Sequence, residues 1–212
     1  MNNFDISVDK FNEFANEYAS RFMSVDSYKE ALDLFCNLSK SNTPRILELA
    51  CGPGNITNYL RQKFPKSEIL GIDLAPKMIE IAKQTVADAA FRVMDVRDIS
   101  TLDGTFDMVM CSFCFPFLSL TDATKLVADC AEKLNNGGLI YISTMEGTQD
   151  EAGFEATSFS GNSEIYFNYF EQHQLEEMLI ASGFHIESIK RQVYTEADGT
   201  LSTDMIFIGS KK

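Results

Sequence analysis

No apolar run in this 212-residue chain approaches the ~18–20 residues that a membrane-crossing helix needs, so a spanning segment is not expected. Basic side chains are scarce: 18 Lys and Arg stand against 31 Asp and Glu, for a formal net charge of −13. Affinity for nucleic acid comes largely from cations that neutralise phosphates. The deficit therefore argues against a nucleic-acid partner and for a small-molecule substrate, although plain solubility accounts for the acidity equally well. Histidine occurs only twice, at His173 and His185. The five cysteines, at positions 36, 51, 111, 114 and 130, are odd in number, and no secretory-type leader precedes them. Free thiols in a reducing cytosol are the expected state. Cys111 and Cys114 have redox or half-zinc spacing, but no second Cys/His pair lies at ligand spacing, so no metal is expected. Repeats and low-complexity tracts are also missing, and with 45% hydrophobic and 23% charged residues the chain reads as one soluble globular domain over 1–212.

What is present is concentrated in the run Ile46-Leu47-Glu48-Leu49-Ala50-Cys51-Gly52-Pro53-Gly54-Asn55-Ile56-Thr57. An apolar strand carrying an acid runs into a glycine turn that opens a helix. Gly52 and Gly54 let the backbone turn tightly and present its N–H groups to a ligand at the helix N-terminus, where Asn55 and Thr57 are candidate caps. Asp73 follows Gly54 by 19 residues and ends a second strand-like run, Glu68 to Ile72. From that place a carboxylate accepts both hydroxyls of a ribose, or else caps the helix that follows. A dinucleotide fingerprint would require a third glycine at position 57, where the chain has Thr57, which disfavours a nicotinamide cofactor.

Residues 7–40 show helical spacing, with Phe11, Phe14, Tyr18 and Phe22 on one stripe and Tyr28, Ala31, Leu32 and Phe35 on another. Two helices are expected over 1–43 as an N-terminal helical cap, with Pro44 marking the start of the sheet. Strands and helices then alternate, which makes the fold α/β and doubly wound with a parallel sheet through the fifth strand. Phe184 to Ile189 and Ser202 to Ile208 both alternate and are joined through 196–200, a hairpin signal. Residues 146–170 are the least regular part and are expected to form a lid-like insertion, or a solvated loop.

The order of these landmarks resembles the class I S-adenosylmethionine-dependent methyltransferases of the small-molecule type. Their glycine motif is matched here with Ala50 in place of the first glycine and Asn55 in place of the third. The helix from Pro76 to Lys83, the strand Phe91 to Asp95, the strand Phe106 to Ser112, the Leu134-Asn135-Asn136-Gly137-Gly138 stop and the Gly183-Phe184 turn are similar to the family's later landmarks, with Asn136 where many relatives have proline. The resemblance covers nearly the whole chain. It implies a Rossmann-like seven-stranded sheet of order 3-2-1-4-5-7-6 with the last strand antiparallel.

It further implies S-adenosyl-L-methionine as cofactor, with Glu48, Ala50, Cys51, Gly52 and Gly54 at the turn and Asp73 on the ribose. Leu74 and Met78 would flank the adenine, Asp95 and Val96 would meet its edge, Cys111 would lie beside the methyl group, and Tyr18 would reach the cofactor carboxylate. The Asp/Asn/Ser-Pro-Pro-Tyr/Phe signature of nucleic-acid and glutamine N-methylating relatives is missing from Ser112-Phe113-Cys114-Phe115-Pro116-Phe117. Phe113 and Phe115, with Tyr166 and Tyr169 of the insertion, are then candidate walls for an apolar or planar acceptor, with core packing the alternative for the phenylalanines. His173 is the candidate base for a protonated nucleophile, or a surface helix residue. The implied activity is O- or N-methylation of a small cytoplasmic metabolite; a catalytically silent module that senses the cofactor or its demethylated product is the rival. Acceptor and oligomeric state stay open.

Overall fold

A computed structural model of the chain describes residues 3–157, 159, 163–195 and 201–212. Three helices, α1 (Asn3–Glu13), α2 (Ala15–Phe22) and α3 (Lys29–Leu38), precede the first strand. The sequence expectation of two is corrected by a break at Phe14, whose backbone leaves the helical region at φ −102° and ψ 26°. The aromatic stripe runs on across that break, since the Phe11 and Tyr18 rings meet edge to face at 5.6 Å, and so the period alone does not reveal it.

Strand β1 (Ile46–Leu49) then leads into α4 (Asn55–Lys63), β2 (Ile69–Asp73), α5 (Pro76–Thr85), β3 (Ala90–Val93), β4 (Phe106–Ser112), α6 (Leu120–Lys133) and β5 (Leu134–Met145). All four β1 residues are buried, as expected for a central parallel strand covered on both faces. It lies between β2 and β4, with Leu47 opposite Leu70 on one side and Val109 on the other. The remaining elements are β6 (Gly153–Ala156), β7 (Glu164–Phe167), α7 (Gln172–Ala181), β8 (Phe184–Thr195) and β9 (Leu201–Lys211). The large sheet has seven strands in the order β3-β2-β1-β4-β5-β9-β8. Strand β9 runs antiparallel to both neighbours, which is the expected topology once β6 and β7 are set aside. The tail hairpin is present, and its connection at 196–200 lies outside the described residues.

The insertion is more ordered than its composition suggests. Strands β6 and β7 pair antiparallel as a separate two-stranded ribbon, from Gly153 opposite Phe167 to Ala156 opposite Glu164. Four residues per strand are too few for alternation to stand out in a sequence. The ribbon and the residues beside it lie on α1 and on the turn after β4: the Asn168 amide donates to the Pro116 carbonyl at 2.7 Å, and Phe159 stacks on Phe11 at 5.4 Å. All five cysteines are buried and unbridged. No described helix is long and apolar enough to cross a membrane.

Candidate functional site: a cavity from the β1 turn to the insertion

A cavity of about 1230 Å³ opens above the C-terminal ends of β1, β2 and β4, roofed by the N-terminal helices and the insertion. Single-ligand pockets run to roughly 1,000 Å³ at most, so this volume accommodates a cofactor and an acceptor together.

One end is made by the chain between β1 and α4. Ala50 (φ 50°), Gly52 (φ 52°) and Gly54 (φ 83°) all occupy the left-handed region, so the backbone reverses within five residues. Gly54 is itself the α4 N-cap, and a Cβ there would lie 3.2 Å from the Ala82 backbone, so close packing of α4 on α5 depends on its missing side chain. Of the expected caps, Asn55 accepts the Ile56 amide on its Oδ1 at 2.9 Å, and both side chains also act beyond the helix start. The Asn55 amide donates to the Phe22 carbonyl at 2.8 Å and ties α2 to the turn, while the Thr57 hydroxyl donates to Glu48 Oε2 at 2.6 Å.

Two carboxylates underlie this turn. Asp73 Oδ2 accepts the Gly52 amide at 2.9 Å and Oδ1 accepts the Ala75 amide at 2.8 Å, so the residue caps the α5 approach and braces the glycine turn at once. Burial raises its pKa from the ordinary aspartate value, against the pull of the backbone amides. Glu48 is only 2% exposed, and burial, helped by the nearby Asp73 charge, pushes its pKa up to about 8 despite the Thr57 bond. At neutral pH it is therefore largely a neutral acid in the ligand-free protein. Tyr18 faces Asp73 across the cavity, and burial together with that charge raises its phenol to about 12.

The other end is aromatic and acidic. Phe113 follows β4 with φ 52°, an uncommon conformation for a bulky residue, and its amide is held by the Ser143 carbonyl at 3.0 Å and hydroxyl at 3.2 Å. Its ring meets Tyr28 edge to face at 5.4 Å. Tyr28 donates to Asp204 Oδ2 at 2.7 Å, Tyr194 donates to Oδ1 at 3.4 Å, and Tyr169 of the insertion donates to Glu155 Oε1 at 2.6 Å. Tyr28, Tyr194, Tyr169 and Glu155 line the cavity together with Glu146 and Glu151, whereas Asp204 stands behind the tyrosines at 0% exposure.

Of the residues expected at the cofactor, Tyr18, Glu48, Ala50, Cys51, Gly52, Asp73, Leu74, Met78 and Val96 line the cavity. Gly54, Asp95 and Cys111 do not. Gly54 shapes the turn from beneath. Asp95 caps the short helix after β3 by accepting the Arg97 amide at 2.9 Å, and it forms an ion pair with the Arg97 guanidinium. Cys111 is buried inside β4, its thiol hydrogen-bonded to Cys114 and pushed far above its usual pKa. Among the acceptor candidates Phe113 and Tyr169 line the cavity. Phe115 turns into the core against Phe170 at 5.4 Å, and Tyr166 pairs with Phe154 at 5.2 Å on the ribbon. His173 is also corrected: it lies exposed in the first turn of α7, outside the cavity, while the ribbon of the insertion folds over α1. Sequence reasoning missed Tyr28, Tyr194 and Asp204. The available signal was an acid placed directly before the apolar run Met205-Ile206-Phe207-Ile208.

Residues 46–138 match the family described as "Methyltransferase domain". The demethylmenaquinone methyltransferase of Thermotoga maritima is 26% identical over 207 residues, covering 88% of each chain. The malonyl-[acyl-carrier protein] O-methyltransferase of Bacillus anthracis is 30% identical over 66% of this chain, which spans half of that relative's length. Among solved structures, the magnesium protoporphyrin IX methyltransferase of Synechocystis PCC 6803, with bound S-adenosylmethionine, superposes with a TM-score of 0.71 over 100% of this chain and 98% of its own, at 16% identity.

Proposed function

We propose that this chain, a methyltransferase by its matched domain and its relatives, methylates a small acceptor that carries no negative charge, an amine above all, whose unprotonated nitrogen takes the methyl through its lone pair, and not a carboxylate or phosphate. One observation carries this reading: apart from the protonated Glu48 and from Asp73 at the cofactor end, the acids Glu146, Glu151 and Glu155 line the cavity, and no lysine, arginine or histidine does so among the described residues, Arg191 meeting Glu146 from outside the lining. An anionic acceptor would be desolvated beside like charges with no cationic side chain in the lining to hold it, whereas an amine finds hydrogen-bond acceptors. The relatives' names give different acceptors, a quinone precursor and a malonyl thioester, so kinship does not choose for this chain.

The turn suits the cofactor on its own chemistry. The reversal through Ala50, Gly52 and Gly54 removes the side chains that would block close approach, and two buried acids lie directly below it. Asp73 keeps lone pairs for ribose hydroxyls beyond the two amides it accepts, Glu48 stands to receive the amino group, and Leu74 and Met78 supply apolar walls for the adenine, with Val96 at its edge and Tyr18 above. Bound there, S-adenosylmethionine supplies a methyl group on a positively charged sulfur. The protein's own part is to exclude water, align the acceptor and leave an acidic surround that favours positive charge.

Methyl transfer to benzylamine, benzyl alcohol and benzoate, three ring compounds differing in the acceptor group, tests the reading. Turnover of benzylamine, with benzoate inert, is the expected result. Benzoate methylated as fast as benzylamine would overturn it.

A further inference from the structure

We propose that Tyr28 is the residue that grips the acceptor's N–H and that Asp204, acting through Tyr28, sets the polarity of that grip. The proposal rests on the reading of the cavity as a methyl-transfer site and names the subsite for the acceptor's polar group. Tyr28 ends the short helical turn Asp26–Tyr28 before α3, and Asp204 lies in the middle sheet on β9, opposite Met145 of β5 and Gln192 of β8. These residues are 176 positions apart, yet the phenol donates to the carboxylate at 2.7 Å. An ionised carboxylate at 0% exposure is costly unless its oxygens are hydrogen-bonded. Here two tyrosine hydroxyls bond it from the cavity side, Tyr194 being the second at 3.4 Å.

The consequence is directional. A tyrosine hydroxyl has one proton, and that of Tyr28 is committed to Asp204, so its oxygen offers only lone pairs to the cavity. Burial and the Asp204 charge push the Tyr28 pKa far upward, which keeps the proton in place across the working pH range. Tyr28 therefore accepts from a ligand and does not donate to it. It selects an acceptor carrying N–H, and the carboxylate behind it favours by its field the positive charge that develops on a neutral amine nitrogen as its lone pair takes the methyl. The T-shaped contact with Phe113, itself fixed by Ser143, holds the ring at the end of β4 where the cavity leaves the glycine turn.

The test is calorimetric titration of the intact protein, saturated with S-adenosylhomocysteine, with benzylamine, benzyl alcohol and benzoate. Parent protein binds benzylamine most tightly. Tyr28→Phe and Asp204→Asn each weaken benzylamine at least tenfold, Tyr194→Phe weakens it about threefold, and Asp204→Asn also brings the benzylamine to benzyl alcohol ratio toward one. Affinity for S-adenosylhomocysteine stays at the parent value in all three. Unchanged benzylamine binding in Tyr28→Phe and Asp204→Asn overturns the pair's role while the amine reading stands. Equal loss of S-adenosylhomocysteine affinity assigns the pair to the scaffold and overturns it as well. Preference of the parent for benzoate, or binding of none of the three, overturns the amine reading itself.

Discussion

The two ends of the cavity are built in opposite ways. At the β1 end, one stretch of eight residues, Glu48 to Asn55, provides an acid, three left-handed backbone positions and the start of a helix, and Asp73, Thr57 and the Ile72 and Phe22 carbonyls come from outside to brace it. At the insertion end nothing is local. Tyr28, Phe113, Tyr169 and Asp204 come from four separate parts of the chain and meet only because β9 inserts beside β5 and the ribbon settles on α1. The first end works through backbone geometry and buried charge, the second through side-chain hydroxyls and rings. A chain can therefore keep its cofactor site while its acceptor site is rewritten by substitutions scattered over the sequence.

The largest effect that would sharpen this contrast is the pH dependence of stability contributed by Glu48. Its carboxyl has an ordinary value of 4.5 and is raised to about 8 in the folded protein. Between those values the folded state holds a proton that the unfolded state has released, so stability falls as pH rises, by about 1.4 kcal/mol per pH unit at most from this one group. Thermal unfolding between pH 5 and pH 8 shows a downward slope in the parent that Glu48→Gln flattens, because glutamine stays neutral and still accepts from Thr57. An unaltered slope would mean that Glu48 is ionised when folded. Next in size is Asp73→Ala, which removes the carboxylate that braces the turn and faces the ribose site. Loss of about 3 kcal/mol is expected, so S-adenosylmethionine affinity measured by calorimetry falls roughly a hundredfold. Binding at the parent value would break the assignment of this end to the cofactor.

The same contrast explains what was legible beforehand. The alternation from Ile46 onward, the glycine turn and Asp73 are short-range signals; they yielded a doubly wound α/β fold and a ligand-binding turn, and the family resemblance that rests on them implied the sheet order and most of the cofactor-end lining. Asp95 and Cys111 were misplaced because a strand-terminal position fixes where a residue sits along the chain and not which way its side chain turns; Arg97 draws the first aside, and Cys114 and the β4–α6 core enclose the second. The residues Phe113 and Phe115 illustrate the point two positions apart. A positive φ at Phe113 sends one ring to the cavity while the other enters the core. The Tyr28–Asp204 pair spans 176 residues, and no periodicity in either segment points to the other.

Smaller effects separate the strain of the turn from its crowding. Gly54→Ala places a Cβ 3.2 Å from the Ala82 backbone at φ 83°. A cost of about 2 kcal/mol is expected, lowering the melting temperature by roughly 4–8 °C. Ala50 has a comparable left-handed backbone, φ 50°, but already carries its Cβ and packs against the core beside the cavity. Ala50→Gly relieves about 1 kcal/mol of strain in the folded state and adds a similar conformational entropy to the unfolded state. The two contributions nearly cancel, so the melting temperature shifts by no more than about 2 °C and S-adenosylmethionine affinity by less than about threefold. If Ala50→Gly instead stabilised the protein as much as Gly54→Ala destabilises it, backbone strain and not the contact with Ala82 would be the dominant energy at this turn.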